Sequence, residues 1–334
     1  MTDKRFPFPI ISFGPFLNGT KEEQEATAKQ LYDAFHNFGW VYLRDFGISQ
    51  DEIDESFRYS EKFFAMSMEE KMKIKVTSPT YSQGYTPDGV ERIQSGKSHK
   101  ECYEHRRIDN SNCPPASEAD GFREFADGFY QKCFTLAAEV LRALCMVLGI
   151  SDSYFDDKLE KADPQLRFLR YMPITKATLE EPGNFRISPH TDYGLCTLLF
   201  QDQVGGLEID RFHTGEFLAA TRLKGTCIIN VADLLQRLSN DKLKSTRHRV
   251  AKPMIAPEVL EKMAPTDLLP ARYSTVFFVH PDPATTITPI VAEGEKCKYE
   301  PVNAGKWRTM IHSQAYGLDV PESEKLAVAV QRVY

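Results

Sequence analysis

Residues 188–201 read SPHTDYGLCTLLFQ, a polar triplet followed by an apolar strand, and this stretch decides the fold. His190 and Asp192 are separated by one residue, and side chains at i and i+2 of a strand point to the same face. The imidazole and the carboxylate therefore converge, while Thr191 faces away. One histidine and one carboxylate are two of the three ligands of the facial triad that holds non-haem Fe(II). On its own, however, such a triplet is more often a core histidine beside a surface aspartate.

Short strand-like segments separated by turn residues surround this stretch. They are LRFLRYMP (166–173), GLCTLLFQ (194–201), GGLEI (205–209), GTCIINV (225–231), STVFFVH (274–280) and ATTITPI (284–290). Strands at such intervals predict an all-β sandwich or barrel. The chain before them has helical patterns instead. One begins at Thr20, with Glu23 as its capping-box partner, and the longest covers 119–149 and ends at Gly149.

Composition narrows the class of protein. The chain has 334 residues, 42% of them hydrophobic and 26% charged, with a formal net charge of -6. This balance is typical of a globular protein and carries no basic footprint for nucleic acid. Seven cysteines without a CxxC pair argue against a disulfide framework or a structural zinc site. Without a signal-peptide pattern or a run of 18 apolar residues, we expect a cytoplasmic protein with no membrane partner.

Two further signals follow the triplet. SNDKLKSTRHRV (239–250) carries His248, and the 55 residues between Asp192 and His248 are enough for several strands to return to one place. By itself, His248 could be a satisfied polar residue. In ARYSTVFFVHPDP (271–283), Arg272 and Ser274 again share one strand face. A guanidinium beside a hydroxyl is suited to binding a carboxylate. The alternative, a surface salt bridge, fits poorly in so apolar a run, because a buried arginine needs a partner anion.

The order H-T-D, fifty-five residues, H-R-V and then R-Y-S resembles the 2-oxoglutarate/Fe(II) oxygenases of the isopenicillin N synthase-like group. The similarity covers nearly the whole chain, including PIISFGPF (9–16), DAFHNFGWVYLRDFGIS (33–49) and CIINVADLLQRLSNDKLKSTRHRV (227–250). It implies a mainly β protein with flanking α-helices, built on a double-stranded β-helix (jelly-roll) core with a helix-rich N-terminal region. The expected parts are an N-terminal α/β region (1–118), a long supporting helix and linker (119–164) and the catalytic core (165–334), in one compact unit.

The resemblance also implies the chemistry. His190, Asp192 and His248 would bind Fe(II), and Arg272 with Ser274 would bind the distal carboxylate of 2-oxoglutarate, the co-substrate used with O2. A small organic substrate, such as a natural-product intermediate or a modified amino acid, would be hydroxylated, desaturated or cyclised, with release of succinate and CO2. Asn230, on the CIINV strand, is expected near the co-substrate or a metal ligand. A polar residue at a strand end is an equal alternative.

Substrate contacts are predicted by position in the resemblance alone: Tyr81, Tyr85, Arg92, Glu101, Arg170 and Phe200. The chain departs from the family pattern twice. The second histidine and the arginine are usually closer, whereas 23 residues intervene here; the inserted 251–270 is either a flap near the pocket or a surface excursion. Many relatives carry a tyrosine where Met172 stands, so we expect no tyrosine contact from this strand and expect Arg170 to face the substrate.

Three other functions fit parts of the pattern. An iron-dependent oxidase of the same family that does not use 2-oxoglutarate can keep the R-x-S pair. A catalytically inactive jelly-roll binding protein is possible in principle, although loss of ligands would then be expected. Two histidines and one carboxylate also suit a zinc hydrolase, but the R-x-S pair then has no explanation. The sequence does not indicate an oligomeric state.

Overall fold

A computed structural model describes residues 7–76, 83–93, 96, 97, 99–107, 112–115, 117, 119–181, 184–210, 214–251, 253, 255, 257–316 and 319. Within these ranges, no helix is both long enough and apolar enough to cross a lipid bilayer. One predicted substrate residue, Tyr81, lies outside the described residues.

Four helices form in the N-terminal region: α1 (Gly14–Asn18), α2 (Lys21–Asn37), α3 (Gln50–Ala65) and α4 (Met68–Lys73). The predicted capping box begins α2, because the Thr20 side chain accepts from the Glu23 amide and the Glu23 carboxylate accepts from the Thr20 amide. Ser49 and Glu52 form the same arrangement at the start of α3. These reciprocal hydrogen bonds satisfy amides that a helix start leaves without partners.

The longest helix, α5, covers Phe122–Leu148. It ends as predicted at Gly149, whose φ of +69° is left-handed and favours glycine. The other helices are short except for the last: α6 (Asp156–Glu160), α7 (Lys176–Glu180), α8 (Asp233–Leu238), α9 (Pro257–Lys262) and α10 (Ala304–Tyr316).

The larger of two stacked sheets has eight strands in the order β1-β2-β13-β10-β16-β7-β6-β3. Their bounds are β1 Ile10–Ser12, β2 Trp40–Arg44, β3 Gly84–Thr86, β6 Lys100–His105, β7 Gln165–Tyr171, β10 Cys196–Gln201, β13 Cys227–Val231 and β16 Arg272–Val279. Four strands of this sheet come from the N-terminal 118 residues. The N-terminal region therefore completes the main sheet of the core.

A smaller sheet has the order β12-β11-β14-β9, with β9 Ile187–His190, β11 Leu207–Asp210, β12 Phe217–Ala219 and β14 His248–Val250. Three two-stranded ladders lie outside these sheets: β4 (Arg92–Ile93) with β5 (Gly96–Lys97), β8 (Ile174–Thr175) with β15 (Leu268–Leu269), and β17 (Thr286–Ile287) with β18 (Val302–Asn303). The two sheets with helices outside them form the expected jelly-roll core.

The two faces of the larger sheet have different partners. On β10, Leu198 and Phe200 belong to a core shared with the helices, including α5. The alternate residue Leu199 belongs to a second apolar cluster with Leu207 and Val250 of the smaller sheet. Because side chains alternate along a strand, β10 presents one face to the helices and one to the space between the sheets, and β2, β7, β13 and β16 do the same.

The inserted 251–270 segment contains α9 and β15. Its apolar residues pack with Ile174 and Leu179 in a small separate cluster. Lys176 donates to the carbonyls of Leu260 and Met263 near the end of α9. The described part of the insertion therefore packs with β8 and α7, directly after β7.

Candidate active site

Neighbouring strands of the smaller sheet bring two histidines together. His190 ends β9, His248 begins β14, and the two residues are direct cross-strand partners. Their ring centroids are 4.2 Å apart. Asp192 follows β9 by two residues, with its Oδ1 3.8 Å from His248 Nε2. The potential ligand atoms of all three residues lie within 4.8 Å of one another.

Backbone carbonyls orient both imidazoles. His190 Nδ1 lies 2.8 Å from the Ser188 carbonyl oxygen, and His248 Nδ1 lies 3.3 Å from that of Thr246. Since a carbonyl only accepts hydrogen bonds, each Nδ1 carries the proton and each Nε2 keeps its lone pair. The edge of Trp40 packs against His248 with ring centroids 5.0 Å apart.

The Asp192 carboxylate is held through one oxygen. Its Oδ2 accepts from Thr197 Oγ1 at 2.7 Å and from Asn230 Nδ2 at 2.8 Å. Burial opposes ionisation of this carboxyl, but the neighbouring imidazoles and the two hydrogen bonds outweigh it and lower its pKa. The charged form is therefore favoured, and Oδ1 is left to face the histidines. Two imidazole nitrogens and one carboxylate oxygen on one side fit a divalent iron and leave its other positions open.

Arg272 lies in the same cavity and is 1% exposed. Its Nη1 donates to Ser274 Oγ at 3.2 Å, and its Nη2 donates to Gln201 Oε1 at 3.1 Å. The guanidinium carbon lies 4.7 Å from the centroid of the Tyr171 ring. Both hydrogen-bonded partners are uncharged, and the Asp202 carboxylate attracts the guanidinium electrostatically. An acid that enters the cavity would add a direct charged partner for the guanidinium.

The cavity lies between the two sheets and contains the His190, Asp192 and His248 group at one side. Its lining residues are Trp40, Lys100, Arg167, Leu169, Tyr171, Ile187, His190, Asp192, Thr197, Leu199, Leu207, Asn230, His248, Val250, Arg272, Val276 and Phe278. Aliphatic and aromatic side chains thus surround a few charged groups, as in many small-molecule sites.

Charged residues of β6 and β7 line the wall beyond β16. Lys100 pairs with Glu91, and the Arg167 guanidinium pairs with Glu91 at 3.2 Å and with Glu104. Arg167 also lies 5.5 Å from the ring centroid of Phe278. This wall offers buried charges and an aromatic face, held in place by ion pairs.

Three predicted substrate residues lie on the other face of the larger sheet. Glu101 accepts from Tyr85 Oη at 2.6 Å, from Lys71 Nζ at 2.9 Å and from Arg170 Nη1 at 2.9 Å. This cluster packs against α3 and α4, since Lys71 lies on α4 and also donates to the Phe64 carbonyl. Arg170 was predicted to face the substrate, but it does not line the cavity that contains the metal ligands, because alternation turns Arg167, Leu169 and Tyr171 toward that cavity instead.

Two further predictions need correction for the same reason. Phe200 packs among the helix-facing aromatics, 5.4 Å from Phe129 and 6.3 Å from Phe46 between ring centroids, and does not line the cavity. No tyrosine contact was expected from β7, but this strand does bring Tyr171 to the cavity wall, with its ring centroid 4.7 Å from the guanidinium carbon of Arg272. Arg92 lies on β4, but its side chain is outside the described residues.

Sequence reasoning missed several inward-facing residues, among them Trp40, Lys100, Arg167, Gln201 and Phe278. One signal could have found Phe278: the i, i+2 rule applied to Arg272 and Ser274 continues through Val276 to Phe278. The other inward-facing residues could be predicted only from the strand register. Lys100 pairs with Tyr171, Arg167 with Val276 and Gln201 with Ser274, and these pairings decide which face each side chain takes.

Two family models match the chain. Residues 8–125 match the N-terminal model described as non-haem dioxygenase in morphine synthesis, and residues 164–281 match the 2OG-Fe(II) oxygenase superfamily. The chain is 31% identical to the 2-oxoglutarate-Fe(II) type oxidoreductase ppzD of Metarhizium rileyi, over 92% of this chain and 91% of the relative. It is 30% identical to the 2-oxoglutarate-dependent dioxygenase frbA of a Dothideomycetidae species, over 92% and 95%.

Solved structures agree with these relatives. A full-length Neurospora crassa protein crystallised with alpha-KG superposes with a TM-score of 0.84 at 33% identity, over 94% of this chain and 98% of that one. The same protein with alpha-KG and thymine gives 0.83 at 32% identity, over 95% and 99%. The chain therefore belongs to the 2OG-Fe(II) oxygenase superfamily and is an Fe(II)/2-oxoglutarate-dependent dioxygenase.

Proposed function

We propose that His190, Asp192 and His248 are the protein ligands of the iron, and that Arg272 with Ser274 binds the distal carboxylate of 2-oxoglutarate. One observation carries this proposal: the three ligands and a buried arginine with only uncharged bonded partners line one cavity. Asn230 acts through Asp192, because its amide holds the carboxylate oxygen that does not face the histidines.

When bound, iron with 2-oxoglutarate and O2 supplies an oxidant that removes hydrogen from a C–H bond, with release of succinate and CO2. The chain's own residues orient the reactants and exclude water. Trp40, Leu199 and Val276 supply apolar wall near the ligand group. The carbonyls of Ser188 and Thr246 keep both imidazoles in the tautomer that can bind a metal.

The substrate of this enzyme is a small polar organic molecule held against Lys100, Arg167 and Phe278. These residues line the cavity wall, and their paired charges and aromatic face suit a polar ring or an amino-acid derivative. Relatives support this class. One is named a proline hydroxylase of Petromyces alliaceus, and the Neurospora crassa protein was crystallised with thymine. The fungal 2-oxoglutarate-dependent relatives favour a role in secondary metabolism. The relative that is named a hydroxylase favours hydroxylation as the reaction.

Different segments of the chain contribute different residues to the proposed site. Residues 165–334 supply the metal ligands and the acid anchor, residues 1–118 add Trp40 and Lys100 to the cavity, and residues 119–164 contain the supporting helix α5.

A substrate screen tests the proposal. Fe(II)-loaded protein would be given 2-oxoglutarate, O2 and a library of amino acids, cyclic peptides, nucleobases and small natural products, with succinate measured for each compound. We expect at least one compound to raise succinate release above the substrate-free rate and to gain an oxygen atom by mass spectrometry. His190→Ala should abolish both signals while keeping the circular dichroism spectrum. Product without equimolar succinate would instead indicate an oxidase that does not use 2-oxoglutarate.

A further inference from the structure

A second buried arginine lies beside the proposed acid anchor. Arg186 precedes β9, four residues before His190, and it is 0% exposed. It does not line the cavity. Its Nε and Nη1 have no hydrogen-bond partner among the described residues. Leaving guanidinium donors without partners in the interior is costly, so this side chain needs an explanation.

The contacts of Arg186 join three strands. Its Nη2 donates to the Pro270 carbonyl and, at 3.5 Å, to the Met172 carbonyl. Met172 directly follows β7, and Pro270 stands two residues before Arg272 at the start of β16. Tyr171 and Arg272 are themselves cross-strand partners. One guanidinium next to the metal-ligand strand β9 therefore joins the backbone at the end of β7 to the backbone just before Arg272.

The electrostatics agree with this geometry. Burial, and then the positive charge of Arg272, lower the pKa of Arg186 to about 10. The two buried guanidiniums oppose each other, and the Asp202 carboxylate attracts both and offsets part of that cost. A dianionic acid bound at Arg272 would offset more of it. Arg186 also fixes the inserted lobe, because Pro270 is the last residue of the 251–270 segment.

We propose that Arg186 is a positioning residue that sets the separation between the metal-ligand strand β9 and Arg272, and thereby the length of the acid that the cavity accepts. This inference rests on the proposed roles of His190, Asp192, His248 and Arg272. A diacid bound at both ends must span that separation, so loosening it should admit a longer acid.

The test uses direct binding of two acids that differ by one methylene. Isothermal titration calorimetry under anaerobic conditions, with Fe(II)-loaded full-length protein, would give the Kd of 2-oxoglutarate and of 2-oxoadipate for each variant. Wild-type protein should favour 2-oxoglutarate, and Arg186→Gln should reduce the ratio of the two Kd values by about tenfold, the selectivity that one methylene commonly carries. Arg186→Lys keeps the charge but loses the planar fork, so its ratio should fall between the two.

A matched control is Arg237→Gln. Like Arg186, Arg237 is buried, does not line the cavity and donates to a backbone carbonyl, that of Glu300 at 3.0 Å. It differs in packing on Trp307 of α10, where it contacts neither β7 nor the start of β16. We expect this control to lower the Tm and keep the wild-type ratio. An unchanged ratio of Kd values in both Arg186 variants would overturn the inference. If Arg186→Gln does not fold, the ratio measured for Arg186→Lys decides the test. Failure of wild-type protein to bind 2-oxoglutarate would instead overturn the proposed function.

Discussion

Arg272 is the residue on which co-substrate binding is expected to depend. Its guanidinium lies 4.7 Å from the Tyr171 ring centroid and donates to Ser274 and Gln201, both of which are neutral. A planar guanidinium with donors in fixed directions binds a carboxylate through two parallel hydrogen bonds. The hydrogen-bonded neighbours therefore orient the guanidinium without adding charge, while the Asp202 carboxylate attracts it electrostatically.

Replacing Arg272 by leucine should raise the KM for 2-oxoglutarate by about a hundredfold, since a lost charged hydrogen-bond pair costs about 3 kcal/mol. Initial rates of succinate release at increasing 2-oxoglutarate would measure it. Arg170→Leu is the matched control, because Arg170 lies on the neighbouring strand but bonds Glu101 on the helix side. A similar rise in KM for both variants would argue against a specific anchor.

Asn230 holds the Asp192 carboxylate and is expected to affect the metal through it. Asn230→Ala removes one of the two hydrogen bonds to Asp192 Oδ2, so the carboxylate is less well oriented. We expect Fe(II) affinity to fall by about tenfold to a hundredfold, the usual effect of removing such a partner. Anaerobic Fe(II) titration measures it, and the 2-oxoglutarate KM at saturating iron should be nearly unchanged. An unaltered Fe(II) affinity would contradict this role.

At the scale of strands, the sequence predicted the elements but not all of their faces. The triplet at 190–192 and the pair at 272 and 274 each share a face by local alternation, and the structure brings both groups to one cavity. The expectation that His248 lies beside these residues came from the family resemblance, not from local alternation. Arg170, Glu101 and Phe200 were misassigned because their faces depend on the register of β6, β7 and β10, which non-local pairing sets.

Adjacent phenylalanines of β16 test this alternation. Phe277 is fully buried against the helix layer, 5.0 Å from the Tyr130 ring centroid, whereas Phe278 is partly exposed and lines the cavity. Phe277→Ala should lower the free energy of unfolding by about 3–5 kcal/mol because it leaves a void in the core. Phe278→Ala should lower it less and weaken substrate binding instead. Urea unfolding of both variants would measure the difference, and equal losses would contradict the assignment of faces.

At the scale of the whole molecule, α10, the last helix of the described residues, and the metal region share one buried polar cluster. Trp307 of α10 donates to the Tyr193 carbonyl at 2.9 Å, directly after Asp192, and His312 bonds the Tyr193 hydroxyl. The Tyr193 ring stacks on His280, with centroids 4.9 Å apart. Segments more than 100 residues apart therefore meet behind the ligand group, so stability there depends on the complete fold.

His280 makes this stability depend on pH. Burial, and then the charges of Arg308 and other nearby groups, including Arg106, hold the pKa of His280 well below its usual 6.5. Folded protein thus keeps the ring neutral, while the unfolded chain binds a proton as the pH falls below about 6.5. The unfolded state then binds more protons than the folded state. His280 therefore lowers the free energy of unfolding by up to about 1.4 kcal/mol for each pH unit that the pH falls.

Urea unfolding of metal-free protein between pH 8 and pH 5.5 would measure that slope, and His280→Gln should make it shallower. His105, whose pKa burial also lowers despite Asp127, should account for part of the remaining slope, so the double variant should be flatter still. An identical slope in wild type and His280→Gln would show that the ring is protonated in the folded protein or that the cluster opens before unfolding.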